Sequence, residues 1–187
     1  MNIVLVGKTG SGKTEIAERL VKYFRYDRAK SCTTRPRRDG ESDDAYDFMT
    51  DDEFDNAKLV LKTRYCGNRY GIPIERLKGK DKLVLVVDPS GLRNLADVDD
   101  FEFKSFFISC GTFNRFIRCL ERGDDKETVF NRVMCEPRVY DSLKTDFIVE
   151  NETDNVWDAV TKVLECVGEV VDCLPQDFTK LESCQQA

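Results

Sequence analysis

The 187-residue chain contains no histidine. That removes any Ser-His or Cys-His catalytic device and any zinc site built on imidazole. Cysteine is present eight times, at positions 32, 66, 110, 119, 135, 166, 173 and 184, but never as a Cys-x-x-Cys pair, so the spacing of a four-cysteine metal site is missing. Scattered cysteines within apolar runs suit a reduced, cytoplasmic protein. Long hydrophobic runs are lacking too: the longest span about five residues, far short of a membrane helix. The opening "MNIVLVG" carries neither a basic leader nor a small-residue cleavage site and does not read as a signal peptide. Excess positive charge is absent: the net charge is −6, and a pI near 4.9 argues against a general nucleic-acid or membrane-surface binder. No repeat or low-complexity tract occurs.

What is there suits one globular domain, able to bury roughly 70% of the surface its unfolded chain exposes. "NIVLV" (2–6) is a continuous apolar run of the buried parallel-strand kind. "KTEIAERLVKYF" (13–24) places Ile16, Ala17, Leu20, Val21 and Phe24 on one helical face. Further strands are expected at 59–66, 82–88, 103–109 and 145–151, and helices at 91–98, 113–123, 125–136 and 155–171. Thr50 and Glu53 form a capping box ahead of a short helix. Strands alternating with helices predict an α/β core with a mostly parallel sheet. Residues 30–80 are polar and rich in arginine and aspartate, and read as an inserted subdomain. The tail after Pro175 has no decided structure.

Between the first strand and the first helix stands "GKTGSGKT" (7–14), a match to G-x-x-x-x-G-K-[ST] in the context its mechanism requires. Its glycines let backbone N–H groups converge on phosphate oxygens, and the helix N-terminus adds its positive dipole end. Gly7, Lys8, Thr9, Gly10, Ser11, Gly12, Lys13 and Thr14 are therefore expected to hold a nucleoside triphosphate. Lys13 would reach the β- and γ-phosphates and Thr14 would ligate Mg²⁺.

The stretch "SCTTRPRRDGE" (31–41) concentrates Arg35, Arg37 and Arg38 in an acidic protein. Guanidinium forks match phosphate oxygens in pairs, so a second phosphate is the expected ligand. Tyr46 and Tyr70 can add neutral donors. A solvated loop of scattered charge is the alternative.

These residues carry a resemblance. "SCTTRPRRDGE", "AYDF" (45–48), "GNRYG" (67–71), "VVDPSG" (86–91) and "LERGDDKETVFNRV" (120–133) are similar to the motifs of the guanylate kinase family of P-loop nucleoside monophosphate kinases. The resemblance runs to about residue 165. It implies a three-layer P-loop NTPase fold with a parallel central sheet. The core would be 1–30, 80–117 and 139–187, the acceptor-binding insertion 31–79 and a helical lid 118–138. It implies transfer of the γ-phosphoryl group of ATP to GMP or dGMP, with Mg²⁺ as cofactor, nucleotides as the only partners and a monomer or homodimer in the cytoplasm. Carried over, it assigns the acceptor phosphate to Arg35, Arg38, Tyr46 and Tyr70, and a base contact to Ser31. Glu41 would brace the loop or the nucleotide, and Asp88 would orient the metal's water shell or the acceptor. Arg118, Arg122 and Arg132 would close over the triphosphate, and Asn151 would lie near the donor adenine.

The sequence departs from the family where guanine is read. A glutamate is replaced by Leu61, a hydroxyl or small residue by Ile72 and an aspartate by Val86. Either Thr63 or a neighbour takes over the reading, or the acceptor base is altered or relaxed. A site that loses buried hydrogen-bond acceptors discriminates less. A rival of another class, a phosphopeptide-binding module on the same scaffold, typically lacks an intact P-loop, which this chain keeps. Another kind of P-loop ATPase or small-molecule kinase would leave "TTRPRR" and "GNRYG" together unexplained.

Overall fold

The computed structural model describes residues 1–37, 46–65, 67–95, 97–134, 138–153 and 155–171. Two expected site residues, Arg38 and Glu41, lie outside them. The strands are β1 (Asn2–Val6), β2 (Asp27–Arg28), β3 (Cys32–Thr33), β4 (Asp47–Phe48), β5 (Leu59–Tyr65), β6 (Asn68–Pro73), β7 (Leu83–Val86), β8 (Phe103–Ser109) and β9 (Phe147–Glu150). The helices are α1 (Lys13–Phe24), α2 (Asp51–Asn56), α3 (Pro89–Leu95), α4 (Thr112–Glu121), α5 (Lys126–Met134) and α6 (Val156–Cys166).

β2, β7, β1, β8 and β9 form a five-stranded sheet, in that order, with every pairing parallel. Such a sheet needs cover on both faces, which is why β1 is buried at every position. Its side chains alternate between two cores. Ile3 and Leu5 pack with Ile16 and Leu20 of α1 and Val160 and Leu164 of α6. Val4 and Val6 pack with Leu92 and Leu95 of α3, together with Leu61 of β5 and Ile72 of β6. Full burial of each such side chain contributes about 1.5–3 kcal/mol.

The second sheet has the order β4-β3-β6-β5, all from residues 32–73. Because Leu61 and Ile72 enter the central core, this sheet is anchored to the first one rather than tethered by its ends. Asp47 ties it down further, accepting from Lys30 Nζ at 2.9 Å and from Arg76 Nη2 at 2.5 Å. Burial alone would raise the Asp47 pKa, but the hydrogen bonds from Lys30 and Arg76 outweigh it and hold the carboxyl below its usual range.

Helix ends follow local chemistry. The Thr50–Glu53 capping box forms as expected, with the Thr50 hydroxyl accepting from Glu53 N and the Glu53 carboxylate from Thr50 N. The helix expected at 91–98 begins earlier, at Pro89, because Asp88 caps it: Oδ1 accepts from Gly91 N at 2.7 Å, and proline suits the first helical position. The helix expected at 155–171 stops at Cys166. Gly168 adopts φ 76°, and Glu169 N turns back to Leu164 O. The four cysteines described as free thiols are Cys32, Cys110, Cys119 and Cys166. No helix among the described residues is long and apolar enough to cross a membrane.

Candidate active site

The glycine loop leaves the C-terminal end of β1, at the centre of the parallel sheet, and turns into α1. Its path is tight. A β-carbon on Gly7 would meet the Ile108 carbonyl oxygen at 2.5 Å, so only glycine permits this approach to β8. Lys13 Nζ donates to Lys8 O at 2.7 Å and to Ser11 Oγ at 3.3 Å, folding its side chain over the loop. Beneath the loop, Arg115 of α4 is 2% exposed, and its Nη1 donates to Thr9 O at 3.1 Å. Asn151, at the end of β9, is also buried and donates from Nδ2 to Ser11 O at 2.9 Å.

Two cavities open on either side of this loop. The larger, about 1130 Å³, is lined by Thr9, Gly10, Gly12, Lys13 and Thr14, by Arg118, Arg122 and Arg132, and by Asn151 and Thr153. The smaller, about 430 Å³, is lined by Ser31, Arg35, Tyr46, Leu61, Thr63, Tyr70, Ile72, Val86, Val87 and Asp88, again with Thr9, Lys13 and Arg132. Thr9, Lys13 and Arg132 thus stand between the two spaces.

In the smaller cavity the cationic group is held by aromatic rings. Arg35 lies 5.4 Å from the Tyr46 ring centre and 5.6 Å from that of Phe48, and Tyr46 meets Tyr70 edge-on at 5.9 Å. Opposite in chemistry is the group of Leu61, Ile72 and Val87, which belongs to the central core. Thr63 joins the two kinds of wall by donating to Asp88 Oδ2 at 2.6 Å.

In the larger cavity Arg118 and Arg122 are engaged with the protein itself. Arg118 donates from Nη1 to Asn151 O at 2.9 Å and from Nη2 to Thr153 O at 2.6 Å. Arg122 pairs with Asp124, whose carboxylate raises the guanidinium pKa by hydrogen bonding. Glu152 completes the joint between β9 and α4, accepting from Gly111 N at 2.6 Å and from Asn114 Nδ2 at 2.9 Å. Cys110 lies beside it, and burial pushes its thiol pKa up.

Most expected site residues therefore gather around the two cavities: Gly7, Thr9, Gly10, Gly12, Lys13, Thr14, Ser31, Arg35, Tyr46, Tyr70, Asp88, Arg118, Arg122, Arg132 and Asn151. Ser11 is fully buried, serving the loop from below, and Lys8 instead lines a third cavity behind the loop, about 340 Å³ in volume. Sequence reasoning missed Arg115, Glu152, Val87 and Tyr140. Arg115 had a signal, since it sits one helical turn before Arg118, and so had Val87, inside "VVDPSG"; Glu152 and Tyr140 had none.

A parallel sheet whose central strand feeds a phosphate loop, flanked by two cavities that share a lysine and an arginine, defines a P-loop kinase. The family model for guanylate kinase matches residues 1–168, and the chain belongs to that family. Among solved structures, the guanylate kinase of Anaplasma phagocytophilum superposes with a TM-score of 0.65 at 20% identity, over 90% of this chain and 84% of that one. The shikimate kinase of Bacteroides thetaiotaomicron superposes with a TM-score of 0.51 at 12% identity, over 90% and 98%. That of Acinetobacter baumannii, solved in complex with shikimate, gives 0.51 at 14%, over 89% and 92%. No curated protein matches the sequence. Family and fold together support a nucleotide kinase.

Proposed function

We propose that the protein transfers the γ-phosphoryl group of ATP to a nucleoside monophosphate, with GMP and dGMP as acceptors and ADP and the nucleoside diphosphate as products. The observation that carries this reading is the sharing of Thr9, Lys13 and Arg132 by the two cavities: a phosphoryl group passing from one to the other has those side chains along its route.

The larger cavity is the donor site. Backbone N–H groups of residues 7–14 and Lys13 cradle the triphosphate, Arg118 and Arg122 reach it from the lid, and Asn151 keeps the loop in shape through Ser11. The smaller cavity is the acceptor site. Arg35, Tyr46 and Tyr70 bind the monophosphate, and Ser31 and the Thr63–Asp88 pair face the nucleoside; Arg38, outside the described residues, is assigned to the same phosphate by the family resemblance alone. Arg132, between them, neutralises charge as it spreads over the transferring group. The acceptor oxygen is already anionic, so the step needs positioning and charge stabilisation rather than a strong base, which a chain without histidine can supply.

Magnesium fits this site in one way. Among the described residues no group of three or more His, Cys, Asp or Glu side chains could cage a cation. The exposed Thr14 hydroxyl at the start of α1 lines the donor cavity and can provide one hard oxygen ligand. When bound, the ion would draw charge from the phosphate oxygens, the nucleotide and water supplying its remaining ligands. A cytoplasmic location is part of the same proposal: an ATP-consuming reaction and the free thiols of Cys32, Cys110, Cys119 and Cys166 suit a reducing compartment.

A second reading, an altered or relaxed acceptor base, is favoured by one observation: Leu61, Ile72 and Val86 all line the acceptor cavity. A coupled ADP-release assay with ATP and each common ribo- and deoxyribonucleoside monophosphate tests the proposal. ADP release that depends on an added monophosphate supports it, and release indifferent to every monophosphate refutes it.

A further inference from the structure

We propose that Leu61 sets the base selectivity of the acceptor cavity, and that it does so by giving the base a hydrocarbon wall, so that acceptors are ranked by shape rather than by their hydrogen-bonding edge. The proposal rests on the nucleoside monophosphate kinase reading above and concerns only its acceptor base.

Three observations meet at this residue. First, Leu61 is where the second sheet breaks its register. Val60 pairs with Ile72 and Thr63 with Tyr70, so β5 carries one residue more than β6 over this interval. Leu61 takes up the excess at φ 54°, in the left-handed region that glycine enters freely and a branched side chain does not. Secondly, this bulky residue in unfavourable backbone is 5% exposed and packed with Ile72 and Val87. Thirdly, it lines the acceptor cavity. Backbone strain maintained at the wall of a binding cavity marks a position that the site constrains.

The chemistry sets the direction. Guanine presents N–H donors along its pairing edge and gains from that edge only where acceptors face it. Leu61, Ile72 and Val86 offer none. Of the polar groups beside them, Thr63 and Asp88 are already committed to one another and to the backbone, Thr63 donating to Asp88 Oδ2 at 2.6 Å and Asp88 Oδ1 accepting from Gly91 N at 2.7 Å, which leaves the Ser31 hydroxyl to meet any base in either hydrogen-bonding sense. Those oxygens retain lone pairs, so guanine is admitted, but no buried group is left unpaired when another base enters. A wall of that kind rejects wrong ligands weakly, whereas a buried polar reader rejects them strongly.

The experiment is the acceptor panel at saturating ATP, run on the wild-type protein and on Leu61→Glu and Leu61→Gly. For wild type, kcat/KM for GMP is expected to exceed that for AMP, CMP, UMP and dTMP by less than about a hundredfold. Leu61→Glu, which places a carboxylate opposite guanine's donors, is expected to widen the preference for GMP at least about tenfold, chiefly through acceptor KM. Leu61→Gly, which relieves the backbone and removes the wall without adding an acceptor, is expected to leave the ranking narrow. A wild-type preference for one base above about a hundredfold, or a Leu61→Glu panel with the wild-type ranking, overturns the proposal while leaving the kinase reading intact. Failure of every monophosphate as acceptor overturns the kinase reading itself. Should Leu61→Glu not fold, the wild-type panel and Leu61→Gln decide the matter in the same terms.

Discussion

Replacing Gly12 by alanine probes the contact between the phosphate loop and the end of β9. Gly12 adopts φ 90°, and an added β-carbon there would overlap Asn151 Nδ2. The backbone cost of a non-glycine residue in this conformation is about 1–2 kcal/mol. The overlap adds to it. Asn151 is 4% exposed and holds Ser11 O through Nδ2 at 2.9 Å, so moving its amide aside leaves a buried carbonyl unpaired, worth about 1–3 kcal/mol. Gly12→Ala should therefore destabilise by about 2–5 kcal/mol and lower Tm by about 5–15 °C for a chain of this length. Asn151→Ala alone should cost about 1–3 kcal/mol through the same orphaned carbonyl. In the double variant the obstacle is already gone, so Gly12→Ala should add only its backbone term, about 1–2 kcal/mol. The two costs should thus fall short of additivity by about 1–3 kcal/mol, the value of the shared hydrogen bond. Urea unfolding followed by the single tryptophan measures this, since Trp157 is 8% exposed and packs edge-on to Tyr23 at 5.2 Å. Strict additivity in the double variant, or a Gly12→Ala protein as stable as wild type, would refute the reasoning.

Other substitutions test separate parts of the site. Lys13→Ala should lower kcat by at least about a hundredfold, through loss of the ammonium proposed to hold the transferring phosphate, while leaving the thermal midpoint within a few degrees; undiminished turnover would make the donor assignment wrong. Arg35→Ala should raise acceptor KM by about ten- to a hundredfold, the worth of one charge-assisted bond to phosphate, with ATP affinity unchanged. Equal losses on both substrates, measured by calorimetry, would count against two separate sites. Asp146 titrates below the usual carboxylate range because Ser105 N, and then the Ser105 hydroxyl, donate to it. A depressed folded pKa stabilises above the unfolded value of about 3.9 and is lost as pH falls through the folded one. Asp146→Asn should accordingly be less stable than wild type at pH 7, and the gap in urea midpoints should close on acidification below pH ~4; a gap independent of pH would contradict this.

The long elements were legible because each has one dominant cause. The apolar run of β1, the helical face of α1 and the capping box of α2 are local patterns that tertiary contacts only reinforce. The second sheet was not legible as a sheet. Its strands β3 and β4 are two residues each, too short for any alternation to register. β6, "NRYGIP", contains glycine and proline and reads as a loop motif, yet it pairs with β3 on one side and β5 on the other. The extent of α6 was overestimated because Val170 and Val171 continue the apolar pattern past Gly168, the glycine that ends the helix.

Within the site, the division between legible and hidden residues follows what each group binds. Phosphate is held by a dense local device: glycines, a lysine and arginines at fixed spacing, whose charge and backbone freedom are properties of the residue types themselves. The partners of Arg118 and Asn151 are backbone carbonyls at Asn151, Thr153 and Ser11, and a carbonyl leaves no trace in a residue type. The base-reading wall is harder still, because side-chain direction in a strand depends on register. One extra residue between Val60 and Thr63, absorbed at Leu61, decides which side chains of β5 stand beside Ile72 and Asp88. A sequence can therefore point to phosphate binding long before it points to whose phosphates they are. Chemistry fixed by charge survives a slip in register, and chemistry fixed by shape does not.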